Sequence, residues 1–182
     1  RLSLVGSEMC IRDRSAIGGS TNGVVHLTAM AGRLGVNIDL KEFDKLTHDL
    51  PMIVDLKPSG TGYMEDLYKA GGSIRIFNEL KDFLHLDAKF VNGNSIGDEI
   101  QKASKWKQDI ITTKDKPVFK GGSIAVLSGT LAPGSAIIKQ SAASSNLLVH
   151  KGKAVVFENL EDLANRVDSE ELDVSKDDVL VL

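Results

Sequence analysis

Hydrophobic and polar positions change rhythm twice along this chain. The first fourteen residues, RLSLVGSEMCIRDR, have neither the alternation of a half-buried strand nor the i, i+3, i+4 spacing of an amphipathic helix, so they predict no element. From Ser15 to about Trp106 the apolar residues recur at helical spacing. STNGVVHLTAMAGRLG sets Val24, Leu27, Ala31 and Leu34 on one face, with Ser20, Thr21 or Asn22 as N-cap and Gly35 as C-cap. IDLKEFDKLTHDLP follows, with Asp39 and Glu42 spaced as a capping box and Pro51 as its stop. LKPSGTGYMEDLYKAGG predicts a turn-rich loop leading into a short helix closed by Gly71 and Gly72. SIRIFNELKDFLHLD predicts a helix with Ile76, Leu80, Phe83 and Leu84 as its stripe, and SIGDEIQKASKW a weaker one capped at Ser95.

Beyond Asp109 the period shortens. KGGSIAVLSGTLAPGSAIIKQS gives two β-rich runs around a turn containing Gly129, Pro133 and Gly134. GKAVVFEN is a third strand, and NLEDLANRVD is a helix with Leu160, Leu163, Ala164 and Val167 inward. SKDDVLVL is a fourth strand ending on the last residue, which reads as an interrupted sheet. The polar, proline-bearing TTKDKPVFK is the expected boundary between two domains.

Composition narrows the field without choosing within it. At 182 residues, 42% apolar and 26% charged, the chain has the profile of an ordinary globular protein. A net charge of −3 offers no basic footprint for nucleic acid. No apolar run approaches the roughly 20 residues that span a bilayer, so no membrane partner is expected and the location is read as cytoplasmic. One cysteine excludes an internal disulfide framework and a multi-cysteine metal site.

Three motifs could carry chemistry. GGSTN, Gly18 to Asn22, delivers the hydroxyls of Ser20 and Thr21 and the Asn22 amide to a helix N-terminus, where a carboxylate or phosphate would be welcome. The same spacing also describes a plain capped helix start, and no Gly-Lys-Ser/Thr follows to make it a Walker loop. Glu65 and Asp66 stand side by side in a first helical turn. They could hold a hard cation such as magnesium or move a proton, or simply oppose the helix dipole. Lys139 and Ser141 alternate on an expected strand and so share a face, as a carboxylate-binding pair or a solvated edge. His26 on the first helix, within a turn of Asn22, could reach a ligand but reads first as a residue satisfied in packing, and His48, His85 and His150 lack the spacing of a zinc site.

Taken together, AIGGSTNGVVHL, LKPSGTGYMEDLYKAGG, GGSIAVLSGTLAP, GSAIIKQSAAS and GKAVVFENLEDLANRVD…DDVLVL closely resemble the dihydroxy-acid and sugar-acid dehydratase family over nearly all of Ser15–Leu182. The resemblance implies an α/β fold: the C-terminal part of a helical α/β N-terminal domain over 15–109, then the start of an aconitase-like swivelling β/β/α domain over 117–182. IIKQSAAS looks more like the aldonate branch (arabonate, xylonate) than the branched-chain biosynthetic branch. The implied reaction dehydrates a 2,3-dihydroxy acid to a 2-keto acid. The family uses an iron–sulfur cluster on three cysteine thiolates, a magnesium ion with a carbamylated lysine, and a serine base. Those motifs lie outside this stretch of the family pattern. The chain is therefore expected to be an internal piece that binds no cluster or magnesium itself. The expected substrate-side residues are Ser20, Thr21, Asn22, Glu65 and Asp66, and the expected partners are a small sugar acid or dihydroxy acid and other copies in a homo-oligomer. The alternative is a short non-catalytic protein that binds an anionic metabolite. Finally, Leu4 to Arg14 resemble, residue for residue, the read-through translation of a transposase sequencing adapter. Residues 1–14 are on that ground set outside the fold, which leaves a net charge of −4.

Overall fold

A computed structural model describes residues 2–182, with side chains from residue 8 onward; Arg1 and the side chains of 2–7 lie outside the described residues. It corrects the expectation for the first stretch, because Leu2–Ala16 form a 15-residue helix, α1. Met9 and Ile11 are two positions apart and point to opposite sides of it. Met9 packs with Phe77, Ile96 and Ile100, whereas Ile11 packs with Val24, Phe43 and Ile124. Ala16, at the end of the helix, joins Leu50, Ile53 and Val54. A helix that touches three apolar clusters need not show the single stripe that periodicity detects.

The other helices are α2 (Asn22–Arg33), α3 (Leu40–Thr47), α4 (Met64–Lys69), α5 (Gly72–Glu79), α6 (Ile96–Ile100) and α7 (Leu160–Arg166). Local chemistry explains their limits. Val36 N–H bonds to Ala31 O and Gly35 N–H to Gly32 O, and Gly35 has φ +71°, which makes a Schellman stop for α2. Leu34 is the capping residue there and is 76% exposed, so it leaves the face shared by Val24 and Ala31. Asp39 Oδ1 accepts the Lys41 N–H at the head of α3. Ser95 Oγ accepts the Asp98 N–H while the Asp98 carboxylate accepts the Ser95 N–H, a complete capping box for α6. The long helix expected over 73–87 is shorter than its pattern. α5 closes at Glu79, and a separate 3-10 turn holds Lys81–Phe83.

Strands β1 (Ala125–Leu127) and β2 (Ala136–Ile138) pair antiparallel with Val126 opposite Ile137. β3 (Ala154–Val156) and β4 (Val179–Val181) pair in parallel with α7 between them, a βαβ crossover. The mixed helix and sheet content is the α/β class expected. Contacts divide the chain into two compact units, the first ending at Ala142 and the second running Ala143–Leu182. The β1–β2 hairpin therefore belongs with the helices, because Ile124 at its foot packs with Ile11, Val24 and Phe43. No described helix is long and apolar enough to cross a membrane.

Candidate functional site

The Gly18–Asn22 turn is built by residues far apart in sequence. Gly18 has φ +68°, and a Cβ on it would lie 2.8 Å from Met52 Sδ, so the position is open only to glycine. Gly19 N–H bonds back to Arg14 O, and Gly23 N–H to Ser20 O. Ser20 Oγ accepts the Asn22 N–H at 3.2 Å, whereas Thr21, at the cap position, makes no cap bond with its side chain. Ser20 and Asn22 are exposed and Thr21 half-buried at the head of the 12-residue α2.

Two cations flank this turn. Lys139 Nζ donates to Gly18 O at 2.7 Å across 121 residues of sequence. Arg14 lies over the two following glycines: a Cβ on Gly23 would fall 1.4 Å from its Nη1, and one on Gly19 would fall 2.8 Å from its Cγ. Burial, helped by the Arg14 charge, pulls the Lys139 ammonium below its ordinary range. Burial likewise lowers Arg14, against the opposing pull of Asp13. The Asp13 carboxyl is pushed up to about 6, because burial outweighs its backbone bond and the Arg14 charge.

Lys139 was expected to share a strand face with Ser141. Instead β2 ends at Ile138 and Gln140–Ala142 turn as a 3-10 helix, so the two do not alternate on one strand. Sequence reasoning missed the Lys139–Gly18 contact, since no local pattern encodes a bond between residues so far apart. His26 is exposed rather than satisfied in packing.

Glu65 and Asp66 are committed to the start of α4. Asp66 Oδ2 accepts the Tyr63 N–H at 2.8 Å, and Glu65 pairs with Lys69 at 2.7 Å, one helical turn on. Asp66 borders a recess with Trp106, Lys107 and Ile110, while Val24 and Val25 of α2 border a separate apolar groove with Leu40 and Ile137. Glu65 and the residues of the Gly18–Asn22 turn line neither of these two recesses.

The donor set does not fit the metals of the resembled family. Cluster iron needs thiolates, and Cys10 is the chain's one cysteine, with its thiol raised by burial and by Asp13. Among the described residues no group of three histidine, cysteine, aspartate or glutamate side chains converges as a metal site.

Comparison with known proteins supplies what geometry alone does not. The model of the dihydroxy-acid/6-phosphogluconate dehydratase N-terminal domain matches residues 8–99, and that of the C-terminal domain matches residues 109–182. The chain is 42% identical to an L-arabinonate dehydratase of Rhizobium leguminosarum bv. trifolii over 96% of its own length and 31% of the relative's. It is 42% identical to an L-arabonate dehydratase of Azospirillum brasilense over 100% of its own length and 32% of that protein's. With a dihydroxy-acid dehydratase of Methanosarcina barkeri the identity is 38%, covering 84% of this chain and 28% of the relative. The chain spans about a third of the length of these relatives, and two consecutive family models account for nearly all of it. It belongs to the dihydroxy-acid/6-phosphogluconate dehydratase family.

Proposed function

We propose that this chain is a segment of a hydro-lyase that converts a 2,3-dihydroxy carboxylic acid into a 2-keto acid. The observation that carries the reading is the run of two family models, in order, along one chain. The substrate class we favour is an aldonate, arabonate or xylonate in type, because the two 42% relatives bear arabonate names; branched-chain dihydroxy acids are the second candidate. In the reaction a base removes the C2 proton, the C3 hydroxyl departs as water, and the resulting enol tautomerises to the 2-keto acid. This segment's contribution is substrate-side. Ser20, Thr21 and Asn22 offer two hydroxyls and an amide at the positive end of α2, suited to a carboxylate or sugar hydroxyls. Glu65 and Asp66 are assigned to holding α4, given their bonds to Lys69 and Tyr63.

The test begins with the source locus, read through both ends of this frame. The full reading frame is then expressed and supplied with L-arabinonate and 2,3-dihydroxyisovalerate, and 2-keto acid formation is followed as the semicarbazone. Keto acid from either substrate supports the reading, and Asn22→Ala in that enzyme raises KM about tenfold or more. A frame that encodes only these residues between its start and stop, with no keto acid formed, sinks it.

A further inference from the structure

Two asparagines in this chain precede a glycine, Asn22–Gly23 and Asn92–Gly93, and the fold treats them in opposite ways. Asn22 is the first residue of α2, whose Val24 is buried two positions on. Asn92 stands in a hairpin loop. Lys89 and Ser95 form an antiparallel bridge, Phe90 N–H bonds to Asn94 O and Gly93 N–H to Phe90 O. Gly93 has φ +84°, which completes the turn-plus-glycine form of a three-residue loop. Residues 91–94 are all exposed, and a Cβ added to Gly93 would meet nothing within 4 Å. The Asn92 side chain is engaged at both ends. Its Oδ1 accepts the Asn94 N–H at 3.0 Å, and its Nδ2 donates to Glu99 Oε1 at 3.1 Å. Asn94 and Lys102 donate to the same Oε1, and Glu99 is buried on α6 between Ile96 and Ile100 of an apolar cluster. An amide on an exposed loop thus supports a buried carboxylate.

We propose that Asn92 is a site of spontaneous deamidation through a succinimide, and that the acid formed there weakens the hold on Glu99. The Gly93 backbone nitrogen gives up its proton to water and bonds to Asn92 Cγ; the Cγ–Nδ2 bond breaks and Nδ2 leaves as ammonia. Water then opens the ring at either carbonyl. One opening gives aspartate, and the other gives isoaspartate, with the main chain rerouted through the side chain. Water is the only co-reactant. Glycine at the attacking position has no side chain to crowd the approach. Ring closure takes the asparagine ψ out of its turn or helical value and breaks the bond made by the next N–H. At Asn92 that disturbs exposed loop bonds, a local opening. At Asn22 it would unwind the first turn of α2 and disturb the buried Val24. The product replaces a donor to Glu99 by a carboxylate facing it, so an attraction becomes a repulsion between like charges. The modification is independent of the proposed dehydratase reaction and is tested without it.

The test uses the 182-residue chain itself, held folded at mildly alkaline pH and sampled over time by peptide mapping with mass spectrometry. The Asn92 peptide should acquire the acid mass as a mixture of aspartate and isoaspartate, about tenfold faster or more than the Asn22 peptide. In urea the two should convert at similar rates, because the fold alone separates them. Asn92→Gln should stay unmodified at that position. For the effect on Glu99, hydrogen exchange in α6 should be several-fold faster in Asn92→Asp than in the parent, with Asn92→Gln closer to the parent. If Asn92→Asp fails to fold, the aged parent chain, separated from fresh chain by its added charge, takes its place. The proposal is overturned if Asn92 in the folded chain converts no faster than Asn22, or if its product contains no isoaspartate. Exchange in α6 that is the same in Asn92→Asp, Asn92→Gln and the parent overturns the effect on Glu99.

Discussion

The two compact units of this chain bury their apolar residues very differently. The unit ending at Ala142 has three buried clusters, and Phe43, Leu50, Ile53 and Leu80 are each no more than 2% exposed. The unit Ala143–Leu182 buries only Val155 and Phe157, on alternate positions of one edge of its two-stranded sheet. Helices can close a core by packing against one another from several sides. A parallel βαβ unit needs cover on both faces, and two strands with one helix give cover on one. The sequences are comparably apolar in the two regions. Layers decide how much of that apolarity leaves water.

The largest test of this contrast deletes a buried ring in each unit. Phe43→Ala should cost about 3–5 kcal/mol, because the cavity adds to the lost transfer free energy. Phe157→Ala removes a ring of similar burial that belongs to none of the three apolar clusters and carries the Arg166 guanidinium over its face at 5.0 Å. Its loss should unfold only the second unit, leaving slow amide exchange intact in α3 and α5. Urea unfolding together with hydrogen exchange reads both. If Phe157→Ala accelerates exchange throughout the first unit, the two units are one cooperative body and the contrast fails.

The same contrast shows what the sequence could reveal. The helical face Val24, Leu27 and Ala31 was legible, as were the Ser95 and Asp39 caps, since each depends on residues within one or two turns. The pattern Leu160, Leu163, Ala164 and Val167 is equally helical, and α7 forms, yet Leu160 is 72% and Val167 40% exposed. Periodicity reports which face a helix would bury and not whether a second layer exists to receive it. At the candidate site the glycine turn was legible and its setting was not. Met52 under Gly18 and Lys139 on its carbonyl come from distant segments. Residues 9 and 11 went unread for the related reason that they face different clusters.

Two carboxyls in the first unit should respond to pH with opposite signs. Glu99 is 8% exposed and held down to about 2, by the Lys102 ammonium first and then by the Asn94 and Asn92 amides. A depressed carboxyl contributes stability that is complete above its ordinary value of 4.5 and is lost as pH falls through about 2. Asp13 is raised to about 6, so its contribution is complete below its ordinary 3.8 and disappears as pH rises through about 6. Urea midpoints measured from pH 2 to 7 should therefore fall at both ends of that range. Glu99→Gln should flatten the acid side only, and Asp13→Asn the decline between pH 4 and 6 only. A parent profile with no decline above pH 4 would show that Asp13 is not buried as described.

Capping offers a smaller comparison with matched chemistry. Ser95 and Asn159 each accept backbone N–H groups at a helix start, Asn159 Oδ1 taking both Glu161 and Asp162 at 3.0 Å. Replacing either by alanine should cost about 1 kcal/mol. The Ser95→Ala loss should appear in the unfolding of the first unit and the Asn159→Ala loss in that of the second. Loss of both transitions from either variant would again argue for a single body.

The smallest effect is expected at Glu65, and its smallness is informative. Its carboxylate pairs with Lys69 at 2.7 Å, but both side chains are well exposed, at 75% and 64%. Such an i, i+4 pair contributes about 0.3–0.5 kcal/mol. Glu65→Gln should lower the urea midpoint by no more than that and leave any L-arabinonate response of the chain unchanged, because the residue is occupied by its own helix. A variant that abolishes the ligand response while keeping the fold would restore Glu65 as a substrate-side residue. It would also place a functional group on a helix whose visible chemistry is wholly structural.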